Sequence, residues 1–505
     1  MLFATFVVTM ADMKSLAKDT AIYGLSSIGG RFLNYLLFIV YTYVFPASSG
    51  SVGIITNVYA YIGLALAILT YGMETTFFRF ANKEGEDPRF VYSTVLRMLA
   101  TTSLLFVALV FAFIGPLSAK MGYAGHPSYI WVMALVVAQD AFQAILFSYL
   151  RYKNRPIKFV ILKLSFIALS IILTLFIFLL MPKLYAMDPG FFGKFYNPEI
   201  GVGYVFYINL FCTTLVSFLF FQEIKGIGFG FDKALCKRML SYSWPILVLS
   251  VAGILNQTVD KILFPKVYVG ADANVQLGIY GAAVKIAMIM ALITQAFRYA
   301  YEPFVFGSSR EKESDQKETY SKGMKYFIIF TLLAYLCVVG YMDILRYIIN
   351  RDYWDGLKVV PIVMAGELMM GIYFNLSFWY KLIDKTIWGA VFSGIGCLVL
   401  IAINVLFIPK FGYMACAWGG VAGYGISMLL SYLVGQKYYP IDYKLRDIGV
   451  YALLAAVIFV AMTFVNGRLS MIPALAVNTV LIAGFTAFIV KKDFMDLVNR
   501  LRHRP

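Results

Sequence analysis

Apolar residues run along this chain in long unbroken stretches, and polar residues collect in the short segments between them. Stretches of about 20 apolar residues recur near 20–45, 52–79, 92–118, 128–150, 157–181, 201–222, 241–265, 277–306, 324–350, 358–380, 387–408, 413–435, 447–465 and 470–490. A helix rises about 1.5 Å per residue, so each stretch can cross a hydrocarbon core of about 30 Å. The pattern predicts an all-α polytopic membrane protein of about 14 transmembrane helices. Only "VNGRLSMIP", read as a tight turn, separates the last two.

Charge orients these spans. With the N-terminus in the cytoplasm, the cytoplasmic loops and tails hold roughly 28 Lys and Arg and the outer loops roughly 9, the asymmetry expected of inner loops. The basic segments include "RYKNRPIK" (151–158), "DKALCKRM" (232–239), "SSREKESDQKETYSKGMK" (308–325) and the tail "KKDFMDLVNRLRHR" (491–504). An even number of spans returns the C-terminus to the cytoplasm. The charge run 308–325 reads as a solvated loop with no ligand implied.

Composition removes several function classes. Hydrophobic residues make up 61% of the 505 and charged residues 14%, against about 45–50% and about 25% in soluble domains. The net charge of +16 therefore reads as basic loops facing anionic lipid, with no nucleic-acid partner. The five cysteines, Cys212, Cys236, Cys337, Cys397 and Cys416, show no CxxC spacing, and the two histidines, His126 and His503, stand alone, so no metal site is expected. No GxxxxGK[ST] motif is present, which argues against ATP hydrolysis by this chain. The opening "MLFATFVVTMADMK" lacks a basic n-region, which predicts no cleavable signal, and leaves Met10 and Met13 as alternative starts.

Sliding the chain by 225 residues lays "VGIITNVYAYIGLALAILTYGMETTFFRFA" (52–81) on "LGIYGAAVKIAMIMALITQAFRYAYEPFVF" (277–306) without a gap, and sets Arg31 opposite Asn256. Span order, loop length and orientation agree with the shift. The expected organisation is a six-helix lobe at 14–231, a second at 232–440, and two added helices with a basic tail at 441–505. Like-oriented repeats of this kind place a substrate cavity between halves that rock against each other.

Charges inside the spans are the candidate chemistry. A charge in hydrocarbon costs about 2.5–3.5 kcal/mol on the insertion scale, so it normally faces protein or water. Arg31, Arg97, Lys163, Lys261, Lys285 and Arg298 lie within spans, together with Glu74, Asp140, Asp260, Glu302 and Glu367. Arg31, Lys285 and Arg298 are the candidate substrate-binding cations of a hydrated cavity. Glu74, Asp140, Asp260, Lys261, Glu302 and Glu367 are candidate cavity or gating charges. Arg97 and Lys163, within about two turns of the cytoplasmic face, can snorkel and form a basic inner mouth with Arg79. Arg298 and Glu302, four apart, can pair on one helix face. Asp260 and Lys261 sit about 100° apart and are expected to need partners from other helices. Glu74 and Arg79, five apart, are poor partners for each other. Arg79 reads as an interfacial anchor and Glu74 as a carboxylate turned inward to pair with a cation. Cations in a hydrated cavity suit an anionic substrate, phosphate above all. No catalytic residue is expected, since both histidines lie outside the spans.

The segments "DTAIYGLSSIGGRFLNYLLFIVYTYVF" (19–45), "YGMETTFFRFA" (71–81), "MLSYSWPILVLSVAGILNQTVDKILF" (239–264), "YGAAVKIAMIMALITQAFRYAYEPF" (280–304), "NLSFWYKLIDKT" (375–386) and "NVLFIPKFGYMACAWGG" (404–420) together resemble the Wzx-type polysaccharide flippases of the multidrug/oligosaccharidyl-lipid/polysaccharide exporter superfamily. The resemblance implies fourteen helices in two lobes that alternate access. It also implies a flippase, not an enzyme, for undecaprenyl-pyrophosphate-linked oligosaccharide in the bacterial cytoplasmic (inner) membrane, feeding O-antigen (lipopolysaccharide) or capsule assembly. The family's cationic cavity maps onto Arg31, Lys285 and Arg298. Lys261 stands where members often carry arginine, which loses the bidentate fork. Implied partners are the lipid-linked oligosaccharide, membrane lipids, and a polysaccharide polymerase and glycosyltransferases. No cofactor is implied, and a coupling ion, H+ or Na+, stays open.

Rival readings are a multidrug extruder or a lipid II flippase of the same superfamily, and, from another class, a membrane-embedded O-antigen polymerase or ligase. The last typically needs a large outer loop. The longest here, "PKLYAMDPGFFGKFYNPEI" (182–200), suits a lid or a sugar contact.

Overall fold

The computed structural model describes residues 35–225, 232–307, 313–383 and 385–494. Among these, twelve helices are long and apolar enough to cross a membrane, and Tyr35–Val44 and Gly203–Leu219 are shorter apolar helices. The two shorter ones fall at the first and sixth expected spans, so the fourteen apolar stretches each carry a helix. The elements used below are α1 (Tyr35–Val44), α2 (Ser51–Thr70), α3 (Met73–Ala81), α4 (Pro88–Ala112), α5 (Ile114–Met121), α6 (Ser128–Tyr152), α7 (Pro156–Leu175) and α8 (Gly203–Leu219). They continue with α9 (Lys233–Val267), α10 (Ala273–Gly307), α11 (Glu313–Gly340), α12 (Val360–Leu376), α13 (Ile387–Phe411), α14 (Tyr413–Tyr438), α15 (Leu445–Asn466) and α16 (Met471–Ile489).

The chain divides into two compact units, Met1–Ile262 and Leu263–Pro505. In the first, Phe77, Val91, Val95, Leu99, Ile145 and Leu146 are almost fully buried in one apolar cluster drawn from α3, α4 and α6. In the second, α12 packs on α10 and α14, and α13 pairs with α14 through close glycine contacts. A Cβ on Gly396 would stand 2.6 Å from the Gly423 carbonyl oxygen. Small residues permit this approach, which supplies the van der Waals contact that holds helices together in lipid.

The second expected span is one apolar run but two helices. Tyr71 (φ 31°) and Gly72 (φ 72°) both take the left-handed conformation, so α2 ends and α3 sets off in a new direction. Two facts place glycine there. Its φ is one that side chains resist, and a Cβ would come within 2.7 Å of Ile246 Cγ2 on α9. The shifted repeat puts Phe297 opposite Gly72, and α10 runs unbroken through that point.

The last two helices, α15 and α16, pack on α11 through Leu336, Tyr451, Ala455, Met462 and Phe485. Polar pins close both ends of this contact. At one end, Lys325 meets Asp493 and lies 3.5 Å from Asp447, which pairs with Lys492 at 3.1 Å. At the other, Asn478 donates to the Gly340 carbonyl at 2.8 Å and to Asn466 at 2.8 Å.

Gly72→Ala is expected to destabilise the purified protein by more than about 1 kcal/mol, read as a lowered unfolding temperature in detergent. Adding Ile246→Ala is expected to return only part of the loss, because it relieves the overlap but not the φ.

Candidate functional site

Within the first unit, charged and polar side chains of α3, α6 and α7 converge inside an apolar bundle. The break at Gly72 turns α3 so that Glu74, in its first turn, faces α6. There Arg151 Nη2 donates to Glu74 Oε2 at 3.1 Å and to Ser148 Oγ at 3.1 Å, and Ser148 Oγ donates to the same carboxylate at 3.3 Å. A carboxylate at a helix N-terminus also gains from the helix dipole. The Arg151 guanidinium lies 5.1 Å over the Phe78 ring, and its buried Nε has no hydrogen-bond partner.

Lys163 joins this pair from α7. Its ammonium sits 4.3 Å over the Phe147 ring, within electrostatic reach of Asp140, Glu74 and Arg151. The residue is exposed, yet it shares a helix face with Phe159, Ile167 and Ser170, all buried. The opposite face carries exposed Ile157, Ile161 and Ile172, as a lipid-facing surface does. Lys163 therefore looks into accessible space on the packed side of its helix. Asp140, half-buried and about two turns from Phe147 along α6, lies within reach of both Lys163 and Tyr59. Asn209 donates to Tyr59 at 2.6 Å, and Gln143 binds the Thr213 carbonyl at 2.9 Å and Ser217 at 2.8 Å. These bonds from α8 to α2 and α6 are glue between helices, of the kind that contributes about 0.6–1.7 kcal/mol per bond in a membrane.

A second polar knot holds α9. Pro265 has no N–H to give the carbonyl of Lys261 four residues earlier. Asn57 Nδ2 from α2 donates to that carbonyl at 2.7 Å, and Tyr123 OH fixes the amide by donating to Asn57 Oδ1 at 2.8 Å. Here one expectation is corrected. Asp260 and Lys261 do face each other: Lys261 Nζ lies 3.0 Å from Asp260 Oδ1 and donates to the Gln257 carbonyl at 2.8 Å. A four-carbon stem reaches back across the 100° that separates the two Cα–Cβ bonds.

The remaining sequence candidates divide as follows. Arg31 lies outside the described residues, as does the side chain of Glu302, and with it the expected Arg298–Glu302 pair. Arg79 is exposed and stacks 4.1 Å over the Tyr242 ring. Arg97 is half-buried on α4. In the second unit, Lys285 is half-buried on α10, Glu367 half-buried on α12, and Arg298 exposed, 5.2 Å from the Phe374 ring. Lys285 and Arg298 share one helix but stand roughly 20 Å apart along it, so they cannot grip one phosphate together. The structure thus gathers Glu74, Asp140 and Lys163. The member missing from the sequence reading is Arg151, read there as loop because it opens the basic segment 151–158. Its signal was available, since Ser148 and Arg151 are three apart and share a face.

A sequence model described as polysaccharide biosynthesis protein matches residues 16–299, more than half of the chain, and the chain belongs to that family. Its fold is similar to that of the lipid II flippase MurJ in an inward closed conformation, with a TM-score of 0.70 at 13% identity over 94% of this chain and 99% of that one. It is also similar to an inward-facing multidrug resistance MATE family transporter of the MOP superfamily, with a TM-score of 0.61 at 14% identity over 83% of this chain and 94% of that one. No curated protein sequence matches. The expected polytopic helical fold is met, and the family is one of polysaccharide biosynthesis, as the resemblance implies.

Asn57→Leu is expected to lower stability by about 1–3 kcal/mol, the cost of an orphaned buried carbonyl. Pro265→Ala in that background is expected to recover part of it, because the amide gained at position 265 re-pairs with Lys261. Thermal unfolding in detergent of the two variants checks both.

Proposed function

We propose that this member of the polysaccharide biosynthesis protein family is a flippase. It moves an undecaprenyl-pyrophosphate-linked oligosaccharide from the inner to the outer leaflet of the bacterial cytoplasmic membrane by alternating access, for O-antigen or capsular polysaccharide assembly. The observation that carries the reading is the pair Arg151 and Lys163, two partly accessible cations inside an apolar bundle and within electrostatic reach of each other. The family membership supports the saccharide, and the fold shared with a lipid II flippase supports a lipid carrier.

The chemistry follows from the geometry. A pyrophosphate cannot enter hydrocarbon bare, because stripping its water costs many kcal/mol. A guanidinium and an ammonium set in low dielectric replace that water with charge-assisted bonds. In the resting arrangement Glu74 holds Arg151 at 3.1 Å. An arriving phosphate competes for the same guanidinium, so Glu74 keeps the site neutral until substrate displaces it. By the charge asymmetry of the loops, this end of α6 faces the cytoplasm, where the substrate is made. Arg31 is proposed as a further phosphate contact and Asp140 as a charge that balances Lys163. Glycosyltransferases would supply the substrate and a polymerase would consume it. The coupling ion, H+ or Na+, is unassigned.

The carboxylates Glu74 and Asp140, with the fold shared with multidrug transporters, favour one second reading, an extruder of organic cations. Liposome flipping separates the two. Protein reconstituted with a fluorescent polyprenyl-pyrophosphate saccharide is expected to expose it to a membrane-impermeant quencher. Arg151→Gln and Lys163→Gln are each expected to slow this at least about tenfold, about 1.4 kcal/mol, with expression unchanged, and Arg31→Ala is expected to slow it as well. Transport of organic cations by vesicles that move no saccharide would put the extruder in its place.

A further inference from the structure

Between α11 and α12 lies a segment that the proposed function does not use. Residues 341–359 form a short helical turn, Met342–Leu345, and two 3-10 turns, Arg346–Ile348 and Arg351–Val359. The loop-charge asymmetry puts this segment on the outer face.

The segment is a rigid platform. Tyr353, Val359 and Ile349 are fully or almost fully buried beneath it. Gly356 crosses α10 so closely that a Cβ would stand 2.5 Å from the Ile279 carbonyl oxygen. Asn350 caps the long 3-10 turn by accepting from Asp352 N at 3.1 Å. Trp354 is locked by its Nε1, which donates to the Arg346 carbonyl at 2.9 Å.

On this platform stands an aromatic and guanidinium stack. The Arg346 guanidinium lies 4.7 Å from the Trp354 ring and 5.3 Å from Tyr347, and the two rings meet edge to face at 5.3 Å. Arg351 approaches the Trp354 ring at 6.0 Å. Tyr347 is 55% exposed, a large aromatic body that the protein leaves uncovered. The charges balance: Asp343, Asp352 and Asp355 against Arg346, Arg351 and Lys358. Arg346 pairs with Asp343 at 3.0 Å and Lys358 with Asp355 at 3.1 Å, while Tyr413 donates to Asp355 at 2.5 Å.

Balanced charge gives no field to draw a polyanion. It does offer planar donors and acceptors in equal number beside apolar ring faces. That combination suits a neutral polyol, whose C–H faces stack on aromatic rings and whose hydroxyls both donate and accept. We propose that this platform is a saccharide-binding site on the outer face, with Tyr347 and Arg351 as its direct contacts. The ligand class rests on the proposed function, since the headgroup of the flipped lipid is what emerges on this side.

The test uses the full-length protein in nanodiscs and a panel of lipid-free neutral pentasaccharides of hexoses and N-acetylhexosamines. Saturation-transfer NMR is expected to show contact with at least one, weakened at least fivefold by Tyr347→Ala or Arg351→Ala and retained by Tyr347→Phe. In liposomes, Tyr347→Ala is expected to slow flipping of the saccharide-bearing carrier and leave sugar-free polyprenyl pyrophosphate unchanged. No contact with any member of the panel would overturn the site. An equal slowing of both carriers would also overturn it, and would reassign the platform as an anchor in the lipid headgroups. Glycan contact in a protein that flips no carrier-linked saccharide would leave the site standing and remove the proposed function instead.

Discussion

Hydrocarbon offers no water to a stray carbonyl or charge, and most of the polar geometry in this molecule answers to that constraint. Pro265 shows it most simply. A proline inside a membrane helix strands one carbonyl, that of Lys261, and two side chains from elsewhere in the first unit are spent on it. Asn57 supplies the donor and Tyr123 holds Asn57 in place. The same demand pairs Asp260 with its neighbour, Glu74 with Arg151, and Lys325 with two carboxylates. Most embedded charges described here are therefore already answered inside the bundle. Lys163 stands over a ring face within electrostatic reach of Asp140 and Glu74 without a direct ion pair to either, and the Arg151 Nε is left without a partner.

The spans were legible because length and apolar content alone decide whether a segment lives in lipid, and neither depends on tertiary partners. What a span does internally was not. "ILTYGMET" reads as continuous helix, since one glycine costs a helix only about 1 kcal/mol. The glycine at the Tyr71–Gly72 break is packed against Ile246, more than 170 residues away. Even the internal repeat hides it, for the matching helix has Phe297 there and runs straight.

The site was legible in kind and not in membership. Embedded charge pointed to groups that face protein or water, and Lys163 lies within electrostatic reach of both Glu74 and Asp140. Arg151 escaped because a basic run next to an apolar stretch looks like loop, while the helix continues through it to Tyr152. The Asp260–Lys261 pair escaped for the opposite reason. Helical-wheel angles describe where Cβ points, and a lysine ammonium lies four bonds further out.

The ionic pin that fastens the terminal helices has a consequence for how the protein is made. Lys325 leaves the ribosome 122 residues before Asp447 and 168 before Asp493. For that interval α11 sits in the bilayer with a lysine whose partners do not yet exist, and its long stem must reach for the headgroups. The first carboxylate arrives with α15, which carries Asp447, and the second with Asp493 after α16. A chain that stops before α15 keeps the charge unpaired in its eleventh helix.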